Sequence, residues 1–204
     1  MILTVYELCY NIEAMKKMLL HTCCAPCAIY VVQELAKEYD LALYYYNPNI
    51  HPTDEYQKRL NEIIRWAKKN DLKLIEAKYD TDRWSDTVKG LEQAPEGGER
   101  CEVCYELRMR ETVQYAKDNS FDVFGTTMSI SPHKRADKLN EIGTKLANEY
   151  EFEYFSANWK KNDGFKIACK LSKEEDFYRQ DYCGCTFSRV ERLTKDSIKS
   201  SHES

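Results

Sequence analysis

The chain has 204 residues, a hydrophobic fraction of 43% and a formal net charge of −4. This length favours a single domain with an ordinary core, and a net charge near zero neither predicts nor excludes nucleic-acid binding, which a local basic patch can provide. No stretch approaches the roughly 18 apolar residues that span a bilayer, and the first ten residues lack the pattern of a signal peptide, so the sequence predicts a cytoplasmic protein with no membrane partner.

Short apolar runs alternate with segments of helical periodicity. In chain order the predicted elements are strand 18–22, helix 26–38, strand 41–46, helix 53–70, strand 72–76, helix 102–117, strand 121–125, helix 134–150 and strand 152–155. The residues expected to face the core from the first two helices are Ile29, Val32, Leu35, Ala36, Leu60, Ile63, Ile64 and Ala67. This alternation predicts an α/β fold, a Rossmann-like parallel sheet flanked by helices, with functional sites at the carboxyl ends of the strands.

The rest of the chain is predicted to surround this core. Segment 89–100 contains three glycines and a proline, which is typical of a loop. Residues 157–194 are expected to form a mostly helical and looped C-terminal elaboration that packs over the site, and the polar residues 195–204 to be flexible. The sequence therefore predicts one domain over residues 1–204, with its core at about 17–156.

Nine cysteines dominate the chemistry of the sequence. In a reducing compartment, clustered cysteines indicate metal binding or catalysis and not structural disulfides. The first cluster, Cys23, Cys24 and Cys27, lies where the first strand is predicted to end and the first helix to begin. A nucleotide-binding fold has a glycine-rich phosphate loop at this turn, and neither GxGxxG nor GxxxxGK[ST] is present.

Two further clusters follow. Cys101 and Cys104 form a CxxC at a predicted helix start, a common source of two ligands for zinc or iron–sulfur. Cys183 and Cys185 flank a glycine, and residues two apart in an extended segment point to the same side. Chance core packing is a poor explanation for three such clusters in one chain, whereas the isolated Cys9 and Cys169 are interpreted as ordinary core residues.

The number of thiols exceeds the need of one metal centre. A structural zinc site or a [4Fe–4S] cluster takes four ligands, so three of the seven clustered cysteines remain. The remaining thiols are predicted to hold a second metal ion or to cycle between dithiol and disulfide. A Cys183–Cys185 disulfide closes a very tight ring, and a strained disulfide is easily reduced, as suits a catalytic couple.

Several motifs in one order give the sequence a family resemblance. They are His21-Thr-Cys-Cys-Ala-Pro-Cys27, Tyr46-Asn-Pro-Asn-Ile50, Arg100-Cys-Glu-Val-Cys-Tyr-Glu-Leu-Arg108, Ser131-Pro-His-Lys134 and Tyr178-Arg-Gln-Asp-Tyr-Cys-Gly-Cys-Thr-Phe-Ser188. Together, over about residues 18–190, they resemble the cobalamin-independent epoxyqueuosine reductases of the QueH family. The resemblance implies a [4Fe–4S] enzyme that reduces the epoxide of epoxyqueuosine in the tRNAs for Asp, Asn, His and Tyr, with electrons from an unidentified donor.

The ligand set depends on which argument is used. Spacing alone favours Cys24 and Cys27 as the partners of Cys101 and Cys104, whereas the resemblance points to the adjacent pair Cys23 and Cys24. The preferred assignment is therefore a [4Fe–4S] cluster held by Cys23, Cys24, Cys101 and Cys104. Cys183 and Cys185 are then the redox pair or ligands of an additional iron ion, for which Cys27 is a further candidate ligand.

Substrate contacts and proton donors are predicted around these thiols. Asp181, His133 and Tyr182 are candidate proton donors. The candidate RNA-binding side chains are His133, Lys134, Lys160, Lys161 and Arg179. Tyr44-Tyr-Tyr46 offers aromatic surface for a splayed base, although core packing is the simpler explanation. Asn158-Trp-Lys-Lys161 departs from the family pattern, in which an acidic residue is expected, so no carboxylate role is assigned there.

Two other functions compete with this hypothesis. One is a tRNA sulfur-transfer enzyme that uses ATP on the same core, which needs the glycine-rich phosphate loop that the first strand lacks. The other is a zinc-stabilised RNA-binding module without catalysis, for which one metal and four cysteines are enough.

Overall fold

The structure is a computed structural model that describes residues 15–202, so Cys9 lies outside the described residues. The strands are β1 (Lys17–His21), β2 (Asp40–Tyr45), β3 (Lys73–Glu76), β4 (Val123–Thr126) and β5 (Glu153–Tyr154). The helices are α1 (Ala25–Leu35), α2 (Thr53–Lys69), α3 (Thr81–Thr87), α4 (Glu99–Asp118), α5 (Ala136–Tyr150), α6 (Gly164–Glu174) and α7 (Thr186–His202). A short 3₁₀ turn, Met128–Ile130, follows β4.

The five strands form one parallel sheet in the order β3-β2-β1-β4-β5. The predicted α/β fold is therefore confirmed. At the carboxyl end of the sheet, His21 of β1 pairs with Tyr44 of β2 on one side and with Thr126 of β4 on the other. The segments that leave these three central strands start side by side, so residues distant in sequence meet at this edge.

Apolar residues cover both faces of the sheet. Met18 and Leu20 of β1 pack with α1 and α2, while Leu19 packs on the opposite face with α4 and α5. Because helices lie on both sides, β1 and β2 are nearly continuous runs of buried residues, as expected for a parallel sheet. Tyr44, Tyr45 and Tyr46 are all buried, which confirms their interpretation as core residues.

The nine elements predicted from sequence are present, with boundaries that differ by one to a few residues. Two of the eight core assignments are wrong: Ala36 lies just past the end of α1 and is exposed, and Ile64 of α2 is 42% exposed. Ile64 is turned about 100° from buried Ile63, and the helical face toward the core is completed by Trp66 instead.

The sequence prediction missed α3 and did not divide the C-terminal elaboration into α6 and α7. In α3, Trp84 is the single buried residue of an otherwise polar helix. One apolar residue cannot produce a helical periodicity in the sequence, so the helix was missed. Helix α6 packs on α1, and an irregular segment then leads back over α2 to α7. Residues 195–202 continue α7, and residues 203–204 lie outside the described part. None of the helices in the described part of the chain combines the length and the hydrophobicity that a membrane span requires.

Candidate metal and redox centre

The first three clustered cysteines meet at the turn between β1 and α1. Cys24 is the N-cap of α1 and has an extended backbone. The proline in the first helical turn has a fixed φ that suits the start of a helix. The Sγ atoms of Cys23, Cys24 and Cys27 all lie within 4.8 Å of one another. From the C-terminal segment, Gln180 Nε2 donates to Cys24 Sγ at 3.0 Å. The sulfurs therefore converge at the carboxyl edge of the sheet.

The other four clustered cysteines surround a small neighbouring cavity. Cys101 and Cys104 stand in the first turns of α4, and they line this cavity together with Cys183 and Cys185. The backbone N–H of Gly97 donates to Cys101 Sγ at 3.2 Å, so the segment before α4 helps to hold that sulfur. The loop-to-helix position predicted for this CxxC is the one observed.

Cys183 and Cys185 present their sulfurs on the same side of the loop before α7. Their Sγ atoms lie 3.8 Å apart, and the Ser188 hydroxyl lies 3.2 Å from the first and 3.3 Å from the second. The Ser188 backbone N–H also donates to Cys185 Sγ at 3.3 Å. Gly184 between them has φ +121°, a conformation in which a Cβ would be strained. The loop is thus shaped to bring two thiols together.

Within two of the three sulfur groups, that of Cys23, Cys24 and Cys27 and that of Cys183 and Cys185, the thiol protons are unevenly shared. Hydrogen bonds from Cys24, and then from Cys27, hold the pKa of the Cys23 thiol well below its usual range. The contact with Cys23 in turn raises the pKa of Cys24 to about 12. In the loop, the contact with Cys185 likewise lowers the pKa of Cys183 and raises that of Cys185. In these two groups one thiol therefore gives up its proton more readily than its partner, which favours its use as a nucleophile or metal ligand.

Two cationic side chains sit among the sulfurs. Arg108 is 2% exposed and donates to Asn47 Oδ1 at 2.6 Å. Burial opposes its charge, but the field of Cys104, then of Cys23 and Cys183, outweighs burial and raises the Arg108 pKa. For Lys134, burial is likewise outweighed by Cys183, then by Cys23 and Cys27, and its pKa is raised. These cations make the centre suitable for an anionic group.

A larger cavity of about 320 Å³ opens beside the sulfurs. Cys23, Cys27 and Cys183 contribute to its wall, and so do residues of α6 and of the segment before α7. Five of the side chains predicted to contact substrate or to move protons line it, namely His133, Lys134, Arg179, Asp181 and Tyr182. Arg179 also donates to Cys169 Sγ at 3.2 Å. The cavity is therefore lined by thiols on one part of its wall and has polar side chains at its opening.

Lys160, Lys161 and the hydroxyl group of Tyr182 are placed differently. Lys160 Nζ donates to the carbonyl oxygens of Ser129, Ser131 and Lys134, so it holds the loop that carries Lys134. The Tyr182 hydroxyl donates to the His51 carbonyl oxygen at 2.6 Å, and burial raises its pKa to about 12. Lys161 is exposed in the turn before α6. RNA contact by the two lysines and proton donation by Tyr182 stay predictions.

Sequence reasoning missed Arg108, Ser188 and Gln180 as members of the site. Arg108 stands one helical turn after Cys104 on α4, and Ser188 stands three residues after Cys185 in the first turn of α7. These helical spacings place each pair on one face, which is a usable signal. Gln180 reaches Cys24 from 156 residues away, and no local pattern reports such a contact.

Buried His21 supports the turn from below and makes the metal-free protein sensitive to acid. Its Nδ1 lies 3.1 Å from Thr126 Oγ1 and its Nε2 3.2 Å from the Tyr46 carbonyl oxygen. Burial, and then the charge of Arg108, lower the His21 pKa to about 3. Because the unfolded imidazole takes up a proton near its usual pKa of about 6.5, stability is full above that pH and is lost as the pH falls toward 3.

We expect the free energy of unfolding of the metal-free protein to fall by up to about 1.4 kcal/mol per pH unit below pH 6.5 on account of this one residue. Urea denaturation at several pH values measures the slope, and His21→Gln serves as the control because it cannot titrate. Equal slopes for the two proteins between pH 6.5 and 5 would show that His21 is not held neutral.

The fold and the site together define a class of protein: an α/β enzyme whose sulfur-rich metal and redox centre lies at the carboxyl edge of a parallel sheet. Comparison with known proteins identifies the family. The family model for epoxyqueuosine reductase QueH matches residues 18–191. The chain therefore belongs to the QueH family of epoxyqueuosine reductases, and the resemblance seen in its motifs is confirmed.

Relatives in several bacteria carry the same description. The epoxyqueuosine reductase QueH of Acinetobacter baylyi is 42% identical over 174 residues, which cover 84% of this chain and 80% of the relative. That of Haemophilus influenzae is also 42% identical over 174 residues, covering 84% and 71%. That of Thermotoga maritima is 34% identical over 184 residues, covering 89% and 94%. The similarity thus extends over nearly the whole described core.

A solved structure shares the fold. It is the U34-tRNA thiolase NcsA from Methanococcus maripaludis with its [4Fe-4S] cluster. The TM-score is 0.55 with 8% sequence identity, and the match covers 92% of this chain and 66% of that chain. At this level of identity the likeness supports the architecture alone.

Proposed function

We propose that this chain is an oxidoreductase that reduces the epoxide of epoxyqueuosine in tRNA to the alkene of queuosine. Family membership supports the reaction, and one observation of the structure supports the chemistry: seven cysteines from three distant segments meet at one edge of the sheet, beside a cavity with a polar rim. The specific substrates are taken to be the tRNAs for Asp, Asn, His and Tyr, which places the activity in the cytoplasm.

The donor set fits a [4Fe–4S] cluster. Thiolates are the usual ligands of such clusters, and hydrogen bonds to their sulfurs tune the reduction potential. Two buried N–H donors, Arg108 Nε and Trp84 Nε1, make no close hydrogen bond among the described residues, and their side chains face the Cys104 sulfur. An anionic cluster with exposed sulfide would give these donors acceptors and give Arg108 a counter-charge.

Cys23, Cys24, Cys101 and Cys104 are the proposed ligands. The first two come from the group whose Sγ atoms lie within 4.8 Å of one another, and the other two face the adjoining small cavity. Cys27 belongs to the same close group, so the alternative pair Cys24 and Cys27 remains open. Cys183 lines both cavities, and we propose that with Cys185 it acts as a redox pair or holds an additional iron ion.

The reaction breaks two C–O bonds, forms one C=C bond and releases the oxygen as water, which consumes two electrons and two protons. When bound, the cluster supplies single electrons from an external donor. In the dithiol form of the proposal, Cys183 and Cys185 supply the two electrons and two protons as they close a disulfide, and the donor reopens it. The ammonium group of Lys134 presents positive charge to the leaving oxygen, where negative charge develops.

The cavity rim is proposed to receive the splayed base and its neighbouring phosphates. A base in an anticodon loop must leave the stack to reach a buried centre, and exposed cations at the opening can position the RNA backbone. His133 and Arg179 are exposed at this rim, and Asp181 beside them is a candidate proton donor. Lys134 lies deeper, close to the sulfurs.

The competing functions have less support. An ATP-dependent sulfur-transfer enzyme needs a phosphate-binding turn after β1, where this chain has three cysteines instead of glycines. A zinc-stabilised RNA-binding module needs four thiols and no cavity that connects them to the surface. Seven converging thiols beside a cavity of about 320 Å³ favour the reductase.

Anaerobically purified protein tests the function directly. The protein is incubated with a reductant and with tRNA from a strain that lacks epoxyqueuosine reductase, and the tRNA is digested to nucleosides for mass spectrometry. We expect the epoxyqueuosine peak to fall and the queuosine peak, lighter by one oxygen atom, to rise by the same amount. An unchanged nucleoside profile with iron-loaded protein would exclude this substrate.

A further inference from the structure

A buried arginine on α2 is hydrogen-bonded to the loop that carries Cys183 and Cys185. Arg59 is 1% exposed and forms an ion pair with Glu55 at 2.7 Å. Its Nη1 donates to the Cys183 carbonyl oxygen at 3.1 Å and its Nη2 to the Tyr182 carbonyl oxygen at 3.2 Å. These two carbonyls are consecutive in the chain, and they lie 123 and 124 residues away in sequence from Arg59.

The planar guanidinium makes this contact geometrically demanding. Its donors stand in a fixed fork, so they satisfy two consecutive carbonyls only when the loop has one position and one orientation. A buried charge is costly unless every partner is present, and Glu55 supplies the counter-charge. Arg59 therefore both stabilises the loop and determines the position of its backbone at Cys183.

Neighbouring contacts lock the same loop against the start of α2. The His51 backbone N–H donates to the Gly184 carbonyl oxygen at 2.7 Å, and the Tyr182 hydroxyl donates to the His51 carbonyl oxygen. A Cβ on Gly184 would lie 2.9 Å from Ile50 Cγ1, so the loop and this wall are closely packed. The glycine therefore permits close approach to Arg59 and to the segment before α2.

The hydrogen bonds from Arg59 fix the backbone that carries the sulfurs of Cys183 and Cys185. Cys183 Sγ belongs to a residue whose own carbonyl oxygen Arg59 binds, and it faces both cavities and lies 3.8 Å from Cys185 Sγ. We propose that Arg59 is a positioning residue that sets the place of the Cys183–Cys185 pair relative to the metal centre. The role in turnover rests on the proposed reductase function, while the role in placing the thiols does not depend on it.

Arg59→Met is the first test, carried out on metal-free, reduced protein. We expect alkylation of Cys183 and Cys185 by iodoacetamide, mapped by peptide mass spectrometry, to accelerate at least about fivefold because the loop opens locally. Alkylation of Cys27 in the same molecule is expected to keep its wild-type rate, whereas Cys23 and Cys24 do not serve as internal controls because the charge of Arg59 acts on both. Arg65→Met, an exposed arginine on the same helix, is the matched control and leaves the rates of Cys27, Cys183 and Cys185 unchanged.

Two more variants separate positioning from general destabilisation. Glu55→Gln combined with Arg59→Met removes the carboxylate that would otherwise be left unpaired, and it is expected to show the same selective acceleration. Arg59→Lys keeps the charge without the fork, and an intermediate rate is expected. If the double variant alkylates all cysteines faster by a similar factor, or none faster, Arg59 does not position this loop.

Turnover provides the second readout. In the iron-loaded Arg59→Met protein, kcat for epoxide reduction is expected to fall about 10- to 100-fold through misplacement of the thiols, with KM for tRNA within about twofold of wild type. An equal loss through KM would place the effect in substrate binding and overturn the proposal. If the wild-type protein does not reduce epoxyqueuosine, the proposed function fails. The alkylation rates still test whether Arg59 positions the loop that carries Cys183 and Cys185.

Discussion

Replacing Cys23 and Cys24 together by alanine is expected to remove the iron and to lower epoxide reduction by at least about 10³-fold, because the cofactor carries the electron chemistry. The two sulfurs lie 3.9 Å apart at the start of α1. One turn of the chain therefore supplies two of the four proposed ligands. Cys27, the remaining thiol of this group, can replace at most one of them. Iron content, the absorbance of the cluster and the nucleoside assay measure the loss.

Cys169→Ser is the matched control for iron binding. This cysteine is half-buried in α6 and bonded to Arg179, and it does not belong to the three clusters. Its serine variant is expected to retain the wild-type iron content. Retention of the cluster absorbance by the Cys23 and Cys24 double variant, with circular dichroism showing a folded protein, would rule out these residues as the ligand pair.

Replacing Cys183 or Cys185 singly by serine is expected to lower turnover at least about 100-fold while the cluster remains bound, since a positioned thiol that takes part in the chemical step cannot be replaced by a hydroxyl. The Ser188 hydroxyl lies 3.2 and 3.3 Å from their sulfurs, so the substituted hydroxyl can still be hydrogen-bonded and the loop can keep its place. Single-turnover kinetics and iron analysis on the same samples measure the two effects separately.

Iron analysis of these variants also separates the two proposed roles. If the pair cycles between dithiol and disulfide, the iron content of each variant equals that of the wild type. If the pair holds an additional iron ion, each variant loses about one iron per chain and keeps the cluster. Wild-type turnover by either variant would contradict both roles. Ser188→Ala provides a control that changes the same pocket without removing a sulfur.

Much of the fold was predictable because its signals are local. The apolar runs of β1, β2 and β4 and the periodicity of α2 and α5 each report their own structure, and the alternation of the elements then specifies a parallel sheet. The sulfur turn was predictable for the same reason, since Cys24 and the proline after it lie at a strand–helix junction. The CGC motif, too, indicated by its spacing that its two sulfurs share one side.

The residues that complete the site depend on tertiary structure. Arg59 reads as one more charged residue on an amphipathic helix, and only the folded chain places its guanidinium against the Cys183 carbonyl oxygen. Lys160 reads as a surface lysine, yet its ammonium group serves three backbone carbonyls. In both cases the deciding contact joins segments tens of residues apart or more, and composition and spacing carry no information about such pairs.

We propose that sulfurs distant in sequence hold an iron–sulfur cluster at the carboxyl edge of the sheet. X-ray diffraction from anaerobically grown crystals, recorded on both sides of the iron absorption edge, tests it most directly. We predict a strong iron peak bounded by the first turn of α1 and the first turns of α4, within bonding distance of Cys24, Cys101 and Cys104. A single peak at the zinc edge in that place, or iron located away from these thiols, would contradict the account.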